Sequence, residues 1–246
     1  DSFSFQKRYR DDLAESIIGA KANGFTISAR TREFASVTIP FVAKDACATG
    51  GTWSDGSAAP AVVDPVPYPA VYIPPLKFYE GVLRLGGSVA KTGGELIVTG
   101  GTEQVSFDNI EITVAMGLSA DAYGVNLGDR TVQDISEGNR VITVKFDPNF
   151  ANIGSEFYEA WRASTDAIVE LYFEGPAFNL TNKYQYKVTV PCVRYSEGSL
   201  PELNSTYGLR RITVQGTGII HPTLGVDFGM VIQGKEDLTV DGSYVS

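Results

Sequence analysis

From Lys183 to Val190 the chain alternates strictly, with Tyr184, Tyr186, Val188 and Val190 on one parity and Lys183, Gln185, Lys187 and Thr189 on the other. A period of two puts each set on one face of an extended strand, so the segment is expected to bury one face and wet the other. Pro191 lacks the N–H a ladder needs and is expected to end the strand. The pattern recurs from Arg140 to Phe146, where Ile142, Val144 and Phe146 oppose Thr143 and Lys145. It appears again from Ile168 to Phe173, with Val169, Leu171 and Phe173 opposite Glu170 and Tyr172, and around Ile212 and Val214. Short alternating runs punctuated by 26 glycines and 12 prolines predict an all-β fold, a sandwich or barrel. Over Glu103–Met116 the apolar parity flips between Val105, Phe107 and Ile110, Ile112, Val114, which predicts a bulge or bend at Asp108-Asn109.

Two short helices interrupt this expectation. Ser155–Thr165 sets Phe157 and Trp161 one turn apart beside Tyr158, with Ser155 as N-cap and Glu156 and Glu159 near the positive end. Asp11–Lys21 places Leu13, Ala14, Ile17 and Ile18 on one stripe before Asn23-Gly24. The stretch 43–75 differs from the rest: it holds Gly50, Gly51 and Gly56 and half of the prolines, with little strand-like patterning. A loop of this length is usually functional, and Trp53, Val66, Tyr68, Val71, Tyr72 and Ile73 make it too apolar for a free linker. The expected organisation is a single β domain over residues 1–246 that includes this 43–75 Pro/Gly-rich loop.

Lys+Arg 20 against Asp+Glu 29 gives a net charge of −9, which argues against a general nucleic-acid binder because such affinity comes from Lys and Arg neutralising phosphates. No apolar run approaches the ~18 residues of a membrane-spanning helix, so no membrane insertion is expected. The opening DSFSFQKRYRDD lacks the charged-then-apolar order of a secretory signal, and Asp1 in place of Met is expected to reflect processing or trimming. Cys47 and Cys192 are too few and too distant for a disulfide framework, and both are read as free, with a single bridge as the alternative.

Catalysis would have to run through one histidine, His221, which sits between Ile220 and Pro222 at a strand end and reads as a turn residue; no G-x-S-x-G elbow is present. Cys47, Cys192 and His221 are scattered, so no metal site is expected, and Glu236, Asp237 and Asp241 lack the order of a calcium loop. Gly86-Gly87-Ser88-Val89-Ala90-Lys91-Thr92 is superficially like a phosphate loop but has Ala90 where glycine must precede the lysine, and reads as a turn between strands. Carboxylate pairs such as Asp108 with Glu111 and Glu170 with Glu174 read as solvated strand-face acids rather than as a glycosidase pair. The sequons at Asn179 and Asn204 read as chance matches. No catalytic residue, no cofactor and no enzymatic activity are expected.

The succession EQVSFDNIEITVAMGLSADAYGV, RVITVKFDPNF, SEFYEAWRASTDA, AIVELYFEG, KYQYKVTVPCVRYSEGSLPEL and RRITVQGTG, from about Val105 to Val231, resembles the tail tube proteins of long-tailed, siphovirus-like bacteriophages. The resemblance implies a β-sandwich virion subunit that assembles into stacked rings, usually hexameric, forming the channel for phage DNA. It implies as partners further copies of the chain, terminator, distal tail and tape-measure proteins, and DNA that passes without specific binding. It places the protein in the phage tail, and in the host cytoplasm during assembly. A net −9 per subunit suits such a conduit, since like charges repel over a screening length of roughly 10 Å. On this reading Trp53, Tyr68 and Tyr72 are interface anchors in the long loop, with cover for their own sandwich as the alternative. Asp108, Asp121, Asp129, Asp134 and Glu137 are candidates to face the lumen, with a solvated loop surface as the alternative. Deletion of Ala48–Pro60 is expected to leave a folded domain that forms no long tubes. The rival readings are a carbohydrate-binding or adhesin module built on the tyrosines and Trp53, and another tail component such as a distal tail or connector subunit.

Overall fold

A computed structural model of the chain describes residues 2–10, 13–48, 50–53, 57–59, 75–104, 107–119, 135–148, 162–178, 182–196 and 213–234. Its strands are β1 (Phe3–Arg10), β2 (Leu13–Ala22), β3 (Gly24–Arg30), β4 (Ser36–Thr38), β5 (Phe41–Val42), β6 (Asp45–Ala48), β7 (Gly81–Leu85) and β8 (Ser88–Thr92). They continue with β9 (Glu95–Thr99), β10 (Thr102–Gln104), β11 (Phe107–Ala115), β12 (Val141–Pro148), β13 (Ala167–Ala177), β14 (Lys183–Tyr195), β15 (Val214–Gly218) and β16 (Gly229–Gln233). A single 3-10 turn, Phe78–Glu80, is the one named helical element among the described residues. The fold is all-β with large antiparallel sheets, as the alternation predicts. The helix expected over Ser155–Thr165 lies outside the described residues except at its end, where Arg162 is helical. The chain falls into two compact units, one of residues 1–26, 37–68 and 113–141, the other of residues 27–36, 69–112 and 142–246.

In the first unit β2 is the centre of a small sheet, with β1 on one side and β5 and β6 on the other. This corrects the helix expected over Asp11–Lys21. The side chains β2 buries are Ala14, Ser16 and Ala20, small residues at strand parity, and a register shift against β1 carries the strand past Gly19. The helical spacing of Leu13, Ile17 and Ile18 was incidental, because pairing on both edges satisfies the backbone in extended form.

The second unit carries most of a ten-stranded sheet ordered β10-β7-β13-β14-β15-β12-β11-β3-β4, with β16 paired to β14. Its core is built from the predicted alternations: Ile142, Val144 and Phe146 of β12, Val169, Leu171 and Phe173 of β13, and Val188 and Val190 of β14 are at most 1 % exposed. In β11, burial skips from Phe107 to Ile110, the parity change expected at Asp108-Asn109. β14 departs from expectation in two ways. It runs through Pro191 to Tyr195, and from Val188 to Val193 it is buried on both faces. Against β13 the register is Val169 opposite Val190 but Ala167 opposite Val193, so Pro191 and Cys192 lie in a bulge. On the other edge β14 pairs β16 as far as Thr189 and β15 from Val193. Pro191 thus falls where the ladder requires no N–H from it, which is how a central strand holds a proline.

β7 to β10 form one long ribbon. Leu85 faces Thr102 and Ser88 faces Thr99, a single continuous register interrupted by the opposed pairs Gly86-Gly87 and Gly100-Gly101, all four at positive φ. The backbones approach so closely there that a Cβ on Gly87 would lie 2.7 Å from the Thr99 carbonyl oxygen, so only glycine fits. The outer half, β8–β9, turns through Gly93-Gly94 and lies against β14 and β16: Leu96 sits over Gly229, and Lys187 pairs with Glu95.

The 43–75 stretch is more structured than its composition suggests. It contains β6 and an isolated bridge between Thr52 and Ala58, and Trp53 is 8 % exposed. Deletion of Ala48–Pro60 would therefore remove the end of a paired strand and a buried tryptophan, costing roughly 3–5 kcal/mol for the ring alone, and residues 60–74 are the segment to excise.

Candidate assembly surfaces

The groups capable of chemistry serve the fold. His221 Nδ1 accepts the backbone N–H groups of Thr223 and Leu224 at 3.3 and 3.2 Å, and the His221 carbonyl accepts the Gly225 N–H at 2.9 Å, so the imidazole closes a turn. Cys47 and Cys192 are both free. Cys192 is buried, and desolvation, with Asp166 as a hydrogen-bond partner, pushes its thiol up to about 11. Cys47 is half-buried and donates only to the Ala48 carbonyl, at 3.4 Å. A disulfide-exchange reagent at about pH 8 is expected to modify Cys47 in the native protein and Cys192 only after denaturation, since the thiolate is the nucleophile. Equal rates at both, read by peptide mapping, would refute this placement.

Glu170 corrects the reading of solvated strand-face acids, for it is buried. The registers align Glu103 of β10, Arg84 of β7, Glu170 of β13 and Thr189 of β14 in one row across four strands. Arg84 Nη1 donates to Glu170 Oε1 at 2.7 Å and Nη2 to Glu103 Oε1 at 3.0 Å, while the Thr189 hydroxyl donates to Glu170 Oε2 at 3.4 Å. On β13 and β14 a second cluster lies nearby: the Tyr172 hydroxyl and Lys183 ammonium both donate to Glu174. Lys183, then Tyr172, hold the Glu174 carboxyl below its usual range, and burial followed by Glu174 raises Tyr172 to about 12. These carboxylates are engaged by neighbouring side chains, an arrangement that ties strands together.

What the fold leaves open is surface for partners. β16 pairs only β14 among the described residues, and Met230 and Ile232 are exposed on it. In the first unit the outer strand β1 exposes Phe3, Phe5 and Tyr9, and Phe41 contacts Phe3 and Phe5 at ring-centroid distances of 6.4 and 5.5 Å. In the second unit, Thr31, Arg32, Phe34, Lys77, Phe78 and Tyr79 line an open cleft of about 550 Å3.

Of the residues singled out from sequence, Trp53 is buried, and Tyr68 and Tyr72 lie outside the described residues. Asp108 is exposed on β11, where its carbonyl accepts the Thr31 N–H and hydroxyl at 2.9 and 3.0 Å. Glu137 is exposed at the rim of a cleft of the first unit that Phe3, Lys21 and Met116 also line. Asp121, Asp129 and Asp134, both sequons and the acidic residues after Gly234 lie outside the described residues. Met230, Ile232, Phe34 and Tyr79 are the surface residues that sequence reasoning missed. A short strand with apolar residues on one parity, Met230 and Ile232, was the available signal.

The architecture is that of an all-β scaffold that, among the described residues, exposes apolar side chains on outer strands. The profile of the family described as phage tail tube protein matches residues 1–191, and the chain belongs to that family. The match takes in the N-terminal third as well as most of the 105–231 stretch that carries the resemblance. A comparison with curated proteins finds no match. The chain is accordingly a structural component of a phage tail.

Proposed function

We propose that this chain is the major repeating subunit of the tail tube of a siphovirus-like phage. Copies join strand edge to strand edge into rings, hexameric by the habit of such tubes, the rings stack, and the bore conducts DNA at ejection. The observation that carries this is β16, which pairs only β14 among the described residues and exposes Met230 and Ile232, in a chain of the tail tube family. An unpaired strand edge beside exposed apolar side chains is a liability in a monomer, and closure into a ring removes it. Head-to-tail contact closes by rotation into a ring, and stacking turns rings into a filament. Assembly would take place in the host cytoplasm, with terminator, distal tail and tape-measure proteins as further partners. Asp108 and Glu137, both exposed, remain the described candidates to face the bore. Trp53, already buried, would fix the root of the long loop, leaving Tyr68 and Tyr72 to make its outer contacts.

Concentrated protein followed by negative-stain electron microscopy is expected to show hollow tubes of uniform diameter. Ile232→Lys, which places a charge on the open edge without touching the core, is expected to elute as a folded monomer and form none. A wild-type chain that stays monomeric under all conditions, or an I232K chain that polymerises normally, would overturn the edge-to-edge reading.

A further inference from the structure

The cleft at Phe34 is a rigid feature. Phe34 bridges to Lys77, the Ala35 N–H donates to the Leu76 carbonyl at 2.9 Å, and the Phe78 N–H donates to the Glu33 carbonyl at 3.2 Å. The Phe78 ring packs on Phe107 at 4.9 Å. On this pinned frame Phe34 is 56 % and Tyr79 74 % exposed, with the Lys77 ammonium 5.3 Å from the Tyr79 ring centre and Arg32 exposed beside them. Preorganised aromatic rings, with Arg32 and Lys77 on the lining against the one acid Glu33, suit an extended, proline-rich ligand, because a polyproline II segment brings little conformational entropy to lose and stacks its rings on aromatics.

The chain carries a segment of that composition. Residues 60–74 read PAVVDPVPYPAVYIP, with prolines at 60, 65, 67, 69 and 74, one acid, Asp64, and no base. We propose that the cleft is the seat for residues 60–74 of a second copy of this chain, with Asp64 set against Arg32. This rests on the tube reading above and gives the long loop its acceptor. The segment is joined through Pro75 and Leu76 to Lys77, which lines the cleft. In polyproline form the segment reaches about 45 Å at about 3.1 Å per residue, enough to meet a neighbouring subunit.

The test titrates the full-length protein against a labelled peptide of residues 59–75, with tube formation scored separately. Wild-type protein is expected to bind, and Phe34→Ala/Tyr79→Ala to lose about thirtyfold or more. Tyr79→Ala alone, a change at an exposed ring, keeps the test readable should the double variant unfold, and is expected to weaken binding severalfold while melting as wild type does. Arg32→Asp should weaken binding of the native peptide and recover it with the Asp64→Arg peptide. Equal binding by wild type and the aromatic variants, absence of binding by wild type because its own segment fills the cleft, or failure of the charge swap would overturn the proposal. Tubes formed normally by the aromatic variants would remove the cleft as acceptor yet leave the tube reading standing. A wild-type chain that binds peptide but forms no tubes would sink the tube reading and leave the cleft as a peptide seat.

Discussion

Arg84→Leu is expected to destabilise the protein by about 3 kcal/mol, and the double replacement Arg84→Leu/Glu170→Leu to recover most of that loss. The Glu170 side chain is 5 % exposed, and its Oε1 accepts a 2.7 Å hydrogen bond from Arg84. Removal of the guanidinium leaves a carboxylate in a site water cannot reach, with only the 3.4 Å Thr189 hydroxyl as compensation. That penalty exceeds the net worth of the pair, because forming the pair already cost the desolvation of both ions. When both go, the site becomes an apolar layer continuous with the core, and the penalty disappears. Glu103 shares the guanidinium but is 60 % exposed, so Glu103→Gln should change stability by no more than about 0.5 kcal/mol. Urea unfolding of the four proteins decides the matter. Equal losses in the single and double variants, or an Arg84→Leu chain as stable as wild type, would show that the row carries no net burial penalty.

That row also marks how far the sequence could be read. The strands β12, β13 and β14 were legible because their buried sets are large aliphatic and aromatic side chains on one parity. β2 was not, because Ala14, Ser16 and Ala20 are small enough to be buried without looking hydrophobic, while Leu13, Ile17 and Ile18 mimic a helical stripe. The extension of β14 through Pro191 depends on a bulge and a change of partner, both properties of the neighbouring strands. Glu170 looks like any strand-face acid until the sheet order sets Arg84, 86 residues earlier, directly beside it. The exposed apolar surfaces were hidden for the same reason. Phe34 and Tyr79 belong to short segments with no periodicity, and tertiary pinning alone turns them into a displayed pair. The family, by contrast, was readable from the order of strands in the second half, which no single site had to specify.

Stability should be level through neutral pH and fall steeply above about pH 9, by on the order of 4 kcal/mol at about pH 11. The cause is a set of acids that are neutral when protonated and buried in that form. Burial pushes the Cys192 thiol up to about 11 and, acting alone, raises the Tyr186 and Tyr195 hydroxyls further, while burial and then Glu174 raise Tyr172 to about 12. In the unfolded chain the thiol titrates near 8.5 and the phenols near 10. Between the unfolded and folded values the native state holds protons that the unfolded state has released, so each step up in pH favours unfolding. The contribution is fully present below the unfolded values and is lost as pH climbs toward the folded ones. Cys192 and Tyr195, 2 % and 7 % exposed, carry most of it, and the share of the more exposed Tyr172 and Tyr186 is reduced by solvent. Urea midpoints at about pH 8 and about pH 11, for wild type, Cys192→Ala and Tyr195→Phe, measure the effect. Cys192→Ala should flatten the alkaline slope by most of one proton over this range, and Tyr195→Phe by less, because the unfolded phenol releases its proton only around pH 10, whatever either does to stability at neutral pH. Midpoints that agree at the two pH values, or slopes untouched by both substitutions, would mean that these groups ionise as freely in the folded sheet as in the unfolded chain.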